Sequence, residues 1–167
     1  MSQKVVILRG PACSGKTTIS REIRNYDKKI AWLSIDKVKP LFSDFKDETL
    51  DDVNKSAVTI LDDLLKRDFS VIVDGIFKKP NHFADILAVA KDKDIPVVAY
   101  QLECSLETLK KRDKDRDGVK YWGPLGDELV ESLYKTVENN PIEGLTKINT
   151  EEKSLADCVE IIRKNFD

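Results

Sequence analysis

Histidine occurs once in the 167 residues, as His82, and cysteine three times, as Cys13, Cys104 and Cys158. The cysteines are odd in number and lack metal-ligand spacing. That excludes a disulfide framework or a zinc module, and leaves free thiols in a reducing, cytoplasmic setting as the expectation. No apolar run reaches membrane-spanning length, so no membrane contact is expected. The N-terminus lacks the three-part layout of a signal peptide. Excess positive charge is missing too: the net charge is −2. No global basic field draws the chain onto nucleic acid or an anionic surface, and any polyanion site has to be a local patch. Repeats, low-complexity tracts and Pro/Gly-rich linkers are absent, and no obligate protein partner is evident. One domain over residues 1–167 is expected, long enough to bury a core.

What is present is alternation. Short apolar runs at Lys4 to Leu8, Ile30 to Ile35, Ser70 to Asp74, Pro96 to Leu102 and, more weakly, Leu145 to Ile148 read as strands. The second to fourth are nearly continuous and bounded by charge, as strands buried on both faces are. Between them lie helical stripes. One carries Leu50, Val53, Ala57, Ile60, Leu61, Leu64 and Leu65; a second carries Leu129, Val130, Leu133, Tyr134 and Val137; a third carries Leu155, Cys158, Val159, Ile162 and Phe166. Strands alternating with helices predict an α/β fold with a parallel sheet covered on both faces. Ligands in such sheets collect beyond the carboxyl ends of the strands, here just after Leu8, Ile35, Asp74 and Leu102.

After the first run comes Gly10-Pro11-Ala12-Cys13-Ser14-Gly15-Lys16-Thr17, then Thr18 and a helical pattern. This is G-x-x-x-x-G-K-[ST] between strand and helix, the phosphate loop of ATP-binding proteins. Its backbone N–H groups form an anion nest, and the following helix aims its positive end at the same phosphates. Lys16 reaches the β- and γ-phosphates, and the Thr17 hydroxyl holds Mg²⁺. Cys13 stands where many such loops carry glycine, with oxidation of the loop as the expected consequence.

A GTPase switch would carry N-K-x-D, but Asn54-Lys55 is followed by Ser56-Ala57 inside a helical stripe, and Asp115 to Gly118 follows no apolar strand. A motor ATPase would place Glu after the strand-end Asp, where this chain has Gly75. A small phosphotransferase fits better. Asp36, at the end of the second strand, either accepts a proton from an attacking hydroxyl or caps the next helix. Asp74 ends the third strand in Walker B manner; it holds Mg²⁺, orients the acceptor, or is plainly structural. Arg112 and Arg116 are spaced i, i+4 and so share a helix face, suited to a transferring phosphoryl group. The segment Lys110 to Lys120 also reads as a solvated charged helix, with six bases and three Asp. Gly118, Gly123 and Pro124 suggest a lid over roughly residues 112–126, with Tyr121 and Trp122 available to stack on a base. His82 reads as a surface helix residue.

Arg9-Gly10 and the loop to Thr18, Asp36 with Lys39, Val71 to Asp74, and Lys111-Arg112 through Arg116 occur in an order that resembles polynucleotide 5′-hydroxyl kinases. The likeness runs on through Leu129 to Val137. Zeta toxins and chloramphenicol phosphotransferases share much of it. The resemblance implies a P-loop NTPase of adenylate-kinase-like, three-layer form, with five parallel strands and the lid after the fourth. It implies ATP with Mg²⁺, Asp36 as general base, Lys39 near an acceptor phosphate, and Arg112 and Arg116 gripping ATP. The acceptor it implies is a hydroxyl, the 5′-OH of a nucleic acid or nucleotide. A small molecule (antibiotic, sugar or nucleotide-sugar) and a non-catalytic ATP-binding regulator are the alternatives. Two positions depart from the pattern: Lys39 stands where arginine is usual, and Gly75 where a hydroxyl residue is frequent.

Overall fold

The computed structural model describes residues 2–42, 49–116 and 123–167. Five strands form one sheet: β1 (Val5–Arg9), β2 (Ile30–Ser34), β3 (Ser70–Gly75), β4 (Val97–Glu103) and β5 (Thr146–Asn149). All pairings are parallel, in the order β2-β3-β1-β4-β5. Every strand expected from the sequence is present, with no end shifted by more than one residue. The helices are α1 (Lys16–Arg24), α2 (Ile35–Val38), α3 (Leu50–Lys66), α4 (Pro80–Lys91), α5 (Leu106–Lys114), α6 (Asp127–Asn139) and α7 (Leu155–Arg163).

Side chains alternate across a strand, so β1 serves two cores at once. Val5 and Ile7 join the core under α3 and α4, with Leu61, Leu65, Phe83 and Ile86. Val6 and Leu8 join the opposite core under α1 and α7, with Ile19, Ile23, Val159 and Ile162. The result is helix, sheet, helix, with β1 wholly buried at the centre. Each fully buried aliphatic side chain contributes about 1.5–3 kcal/mol by leaving water. Ser154 starts α7 with a capping box: its hydroxyl accepts from the Asp157 amide while the Asp157 carboxylate accepts from Ser154.

The stripe on α3 is narrower than expected. Val53, Ala57, Leu61 and Leu65 are buried at intervals of four, joined by Asn54, whereas Ile60 is exposed. His82 also differs from expectation. It sits in the first turn of α4 facing the first turn of α3, where it is buried and its Nε2 lies 2.7 Å from Asp51 Oδ1. Packing of α4 on α3 buries a position whose polar neighbours had suggested a surface.

One charged anchor and one steric constraint tie the sheet to its surroundings. Arg9 at the end of β1 is buried, yet donates to Gln101 Oε1 (2.9 Å) and to the Asn140 (2.6 Å) and Val137 (3.5 Å) carbonyls at the end of α6. A cation placed there also faces the negative end of the α6 dipole. The second constraint is steric. A Cβ on Gly75 would lie 2.9 Å from Ile35 Cγ1 and 3.2 Å from Ile35 Cβ and a Phe77 ring carbon. Glycine there lets α2, which carries Asp36, press against the end of β3. This explains the departure noted at Gly75: a side chain has no room.

Gly75→Ala is expected to destabilise the fold by about 1–3 kcal/mol through overpacking. Urea denaturation measures it, and an unchanged midpoint would mean that Ile35 gives way freely.

Candidate active site

The loop from Gly10 to Thr18 leaves the carboxyl end of β1 and closes into α1. Glycine is required at its entry, since a Cβ on Gly10 would meet Ser14 Oγ at 2.7 Å and the Leu102 carbonyl at 2.9 Å. Gly15 has φ +99°, and Cys13 has φ +65°. The second value explains why glycine is common at that position, since a side chain there is strained. Ser14 Oγ donates to the Pro11 carbonyl at 2.9 Å, pinning the loop to itself.

Lys16 is buried, and its ammonium donates to the Gly10 (2.8 Å) and Pro11 (2.7 Å) carbonyls. Burial pulls its pKa down, while the negative charges of Asp36 and Asp74 oppose the shift. The nine-residue helix α1 has no acidic residue in its first turn, so no carboxylate there offsets the positive end of its dipole. Thr17 and Thr18, half-buried, stand in that turn.

Asp74, at the end of β3, is fully buried. Ser34 Oγ donates to its Oδ1 at 2.8 Å, and the Trp32 indole N–H donates to its Oδ2 at 2.6 Å. Burial pushes its pKa up, partly offset by those two bonds and by Lys16. Trp32 in turn carries two cations against its ring, Lys37 Nζ at 3.8 Å and the Arg24 guanidinium at 5.6 Å from the centroid. Ser34 is the residue at the N-cap of α2, yet its side chain makes no capping bond; the hydroxyl is committed to Asp74. Asp36 lies inside the first turn of α2 and is therefore not its N-cap. It pairs with Lys39 Nζ. Burial would raise the Asp36 pKa, but Lys39 and then Lys16 outweigh it and hold the carboxyl below its usual value.

The two arginines do not share a helix face as their spacing had suggested, because α5 ends at Lys114, before Arg116. Arg112 donates to the Thr150 carbonyl (2.7 Å), to Thr150 Oγ1 (3.1 Å) and to the Cys13 carbonyl (3.4 Å). It thus bridges the phosphate loop and the segment after β5. Arg116 turns back to Asp113, with Nε 3.6 Å from Oδ1. Nor is this stretch a plain solvated helix, since Asp113 is fully buried. Its carboxylate accepts from the Leu125 and Gly126 amides at 2.9–3.0 Å and from the Cys13 thiol at 3.5 Å. One side chain therefore joins the end of α5, the phosphate loop and the entry to α6. One sign of it is legible in the chain: Asp113 falls one turn after Leu109, on the apolar side of a basic helix. Gly118, Tyr121 and Trp122 lie outside the described residues.

A cleft beside Asp36 is lined by Ile35, Asp36, Lys39, Asn54, Phe77 and His82, among others. Phe77 adopts φ +51°, uncommon for a bulky residue. Its ring stands edge-on to Phe83, with centroids 5.5 Å apart.

Comparison with known proteins agrees with this architecture. A family model described as an AAA domain matches residues 5–122. The L-seryl-tRNA(Sec) kinase of Methanococcus maripaludis is 26% identical, over 90% of this chain and 68% of its own length. The Mycobacterium tuberculosis APS kinase CysC, solved with AMPPNP and APS, superposes with a TM-score of 0.73 at 16% identity, covering 99% of this chain and 98% of that one. A chain of the Pnkp1/Rnl/Hen1 RNA repair complex superposes with a TM-score of 0.67 at 19% identity, covering 83% of this chain and 45% of that one. The fold is that of the P-loop kinases.

Two outcomes follow from the Asp113 junction. The Cys13 thiol is pushed up to about 11, chiefly by burial, which counters the expectation of an oxidation-prone loop. At pH 8 its alkylation by iodoacetamide should run about two orders of magnitude slower than that of free cysteine, and rise with pH towards 11. Peptide mass spectrometry reads this directly. Asp113→Ala strands two amides and an arginine, and should cost about 1–3 kcal/mol of stability in denaturant titration.

Proposed function

The chain belongs to the AAA domain family, and from that premise we propose that it is an ATP-dependent phosphotransferase acting on a hydroxyl group. The observation that carries the reading is the meeting of Lys16, Asp36 and Asp74 at adjoining strand ends, each within electrostatic reach of the others. ATP would lie with its phosphates over the loop from Gly10 to Thr18, drawn by loop amides, the α1 dipole and Lys16. Arg112 near the end of α5 and Arg116 just after it stand beside that loop and would suit the remaining phosphate oxygens. Thr17 and Asp74 together offer a hydroxyl and a carboxylate, the hard oxygen donors Mg²⁺ takes. Bound there, the ion would neutralise charge on the β- and γ-phosphates.

The acceptor hydroxyl would attack the γ-phosphorus as the bond from phosphorus to the ADP oxygen breaks. Its proton passes to Asp36, which Lys39 keeps ionised and ready to accept it. The resemblance to polynucleotide 5′-hydroxyl kinases, together with a structural neighbour from an RNA repair complex, supports a 5′-OH on nucleic acid or nucleotide as acceptor. A small-molecule acceptor is the second reading. It is supported by the end-to-end superposition on APS kinase.

A screen with γ-labelled ATP against 5′-hydroxyl oligonucleotides, nucleotides and small alcohols decides between them. Transfer to a polynucleotide should weaken steeply with added salt, whereas transfer to a neutral alcohol should not. Asp36→Asn keeps the size but cannot take the proton. Its single-turnover rate should fall on the order of 10²–10⁴-fold with ATP affinity nearly kept. A loss under tenfold would remove Asp36 from the chemistry.

A further inference from the structure

The cleft beside Asp36 is lined by a residue whose hydrogen-bond acceptor no group among the described residues uses. Asn54 on α3 lines it and is 3% exposed. Its Nδ2 donates to Asp85 Oδ2 at 2.8 Å. That bond fixes the amide, since the flipped orientation would set its oxygen against a carboxylate. Asn54 Oδ1 is then buried with no partner among the described residues. An unmatched buried oxygen costs about 1–3 kcal/mol, and native structures retain such a group where something else fills the need. The same cleft presents Asp36, two cations in Lys39 and Lys78, and an apolar wall from Ile35, Val53 and Phe77. A lone alcohol would use only Asp36. A sugar carrying a second hydroxyl and a phosphate would use all of these.

We propose that the cleft is a ribose subsite, in which the reacting 5′-hydroxyl lies at Asp36, the 2′-hydroxyl of the same sugar donates to Asn54 Oδ1, and the following phosphate faces Lys39 and Lys78. The inference rests on the nucleic-acid reading above and adds to it a choice of sugar. The 2′-hydroxyl distinguishes RNA from DNA at a given site. A site built to bind a substrate hydroxyl rejects the analogue that lacks it, because its own polar group is then stranded.

The test compares kcat/KM on 5′-hydroxyl oligonucleotides of one sequence whose terminal sugar is ribose, 2′-deoxyribose or 2′-fluororibose. The fluoro sugar keeps a ribose-like shape but cannot donate. The ribose end should be preferred at least tenfold over both. Asn54→Leu should bring the three within about threefold by lowering the rate on ribose, with melting nearly unchanged because Asp85 is exposed. Equal rates on all three in the native protein, a fluoro sugar as good as ribose, or a preference that survives Asn54→Leu would overturn the subsite alone. The comparison of the three sugars needs no variant and stands even if Asn54→Leu fails to fold. Transfer to none of the three, with a small alcohol labelled instead, would overturn the nucleic-acid reading beneath it.

Discussion

A sheet in which all strands run the same way cannot be closed by tight turns. Every return has to cross back over a face, and every strand then ends at the same edge. In this chain that edge collects Lys16 after β1, Asp36 after β2, Asp74 at the end of β3, Arg112 after β4 and Thr150 after β5. The strand order puts β1 in the middle, between β3 and β4. The phosphate loop therefore has Asp74 on one flank and the Arg112 segment on the other. No loop had to travel far to assemble the site.

Concentrating charge at a buried edge carries a cost, which the structure offsets group by group. Lys16 is wrapped by two loop carbonyls, Asp74 by a hydroxyl and an indole, and Arg9 by carbonyls at the end of α6. Asp113 has the widest reach. It holds the loop, the end of α5 and the entry to α6 through one carboxylate. Arg9 and Asp113 fix α6 from its two ends, one at the C-terminal carbonyls and the other at the two amides just before its first turn. Pairing of this kind matters more than the number of ion pairs, because most of the others are exposed and contribute little.

How much of this could be read from the chain depends on the distance the signal has to travel. The strands, the phosphate loop and the glycine needs within it are local matters, and the residue pattern expressed them. Asp36 and Asp74 could be singled out as candidates because strand ends are where such a sheet places its chemistry. Asp113 was not found, because its meaning lies in Cys13, 100 positions away. His82 was misread because its burial depends on how α4 settles on α3. Spacing put Arg112 and Arg116 on one face, but the helix stops between them, and the arginines point to different anchors. Asn54 was noticed only for lacking a guanine motif. That its oxygen is orphaned could be learned only once Asp85 had claimed the other end of the amide.

Trp32 carries a consequence of a different kind. Its indole N–H is bonded to Asp74 and a lysine ammonium sits on its ring. Indole emission shifts with the electric field across the ring, and here one end of that field is the strand-end carboxylate itself. With Trp122, the only other tryptophan, replaced by phenylalanine, the colour of the protein's ultraviolet fluorescence becomes a readout of charge at Asp74. The chain contains its own optical voltmeter for the site, and needs no dye to use it.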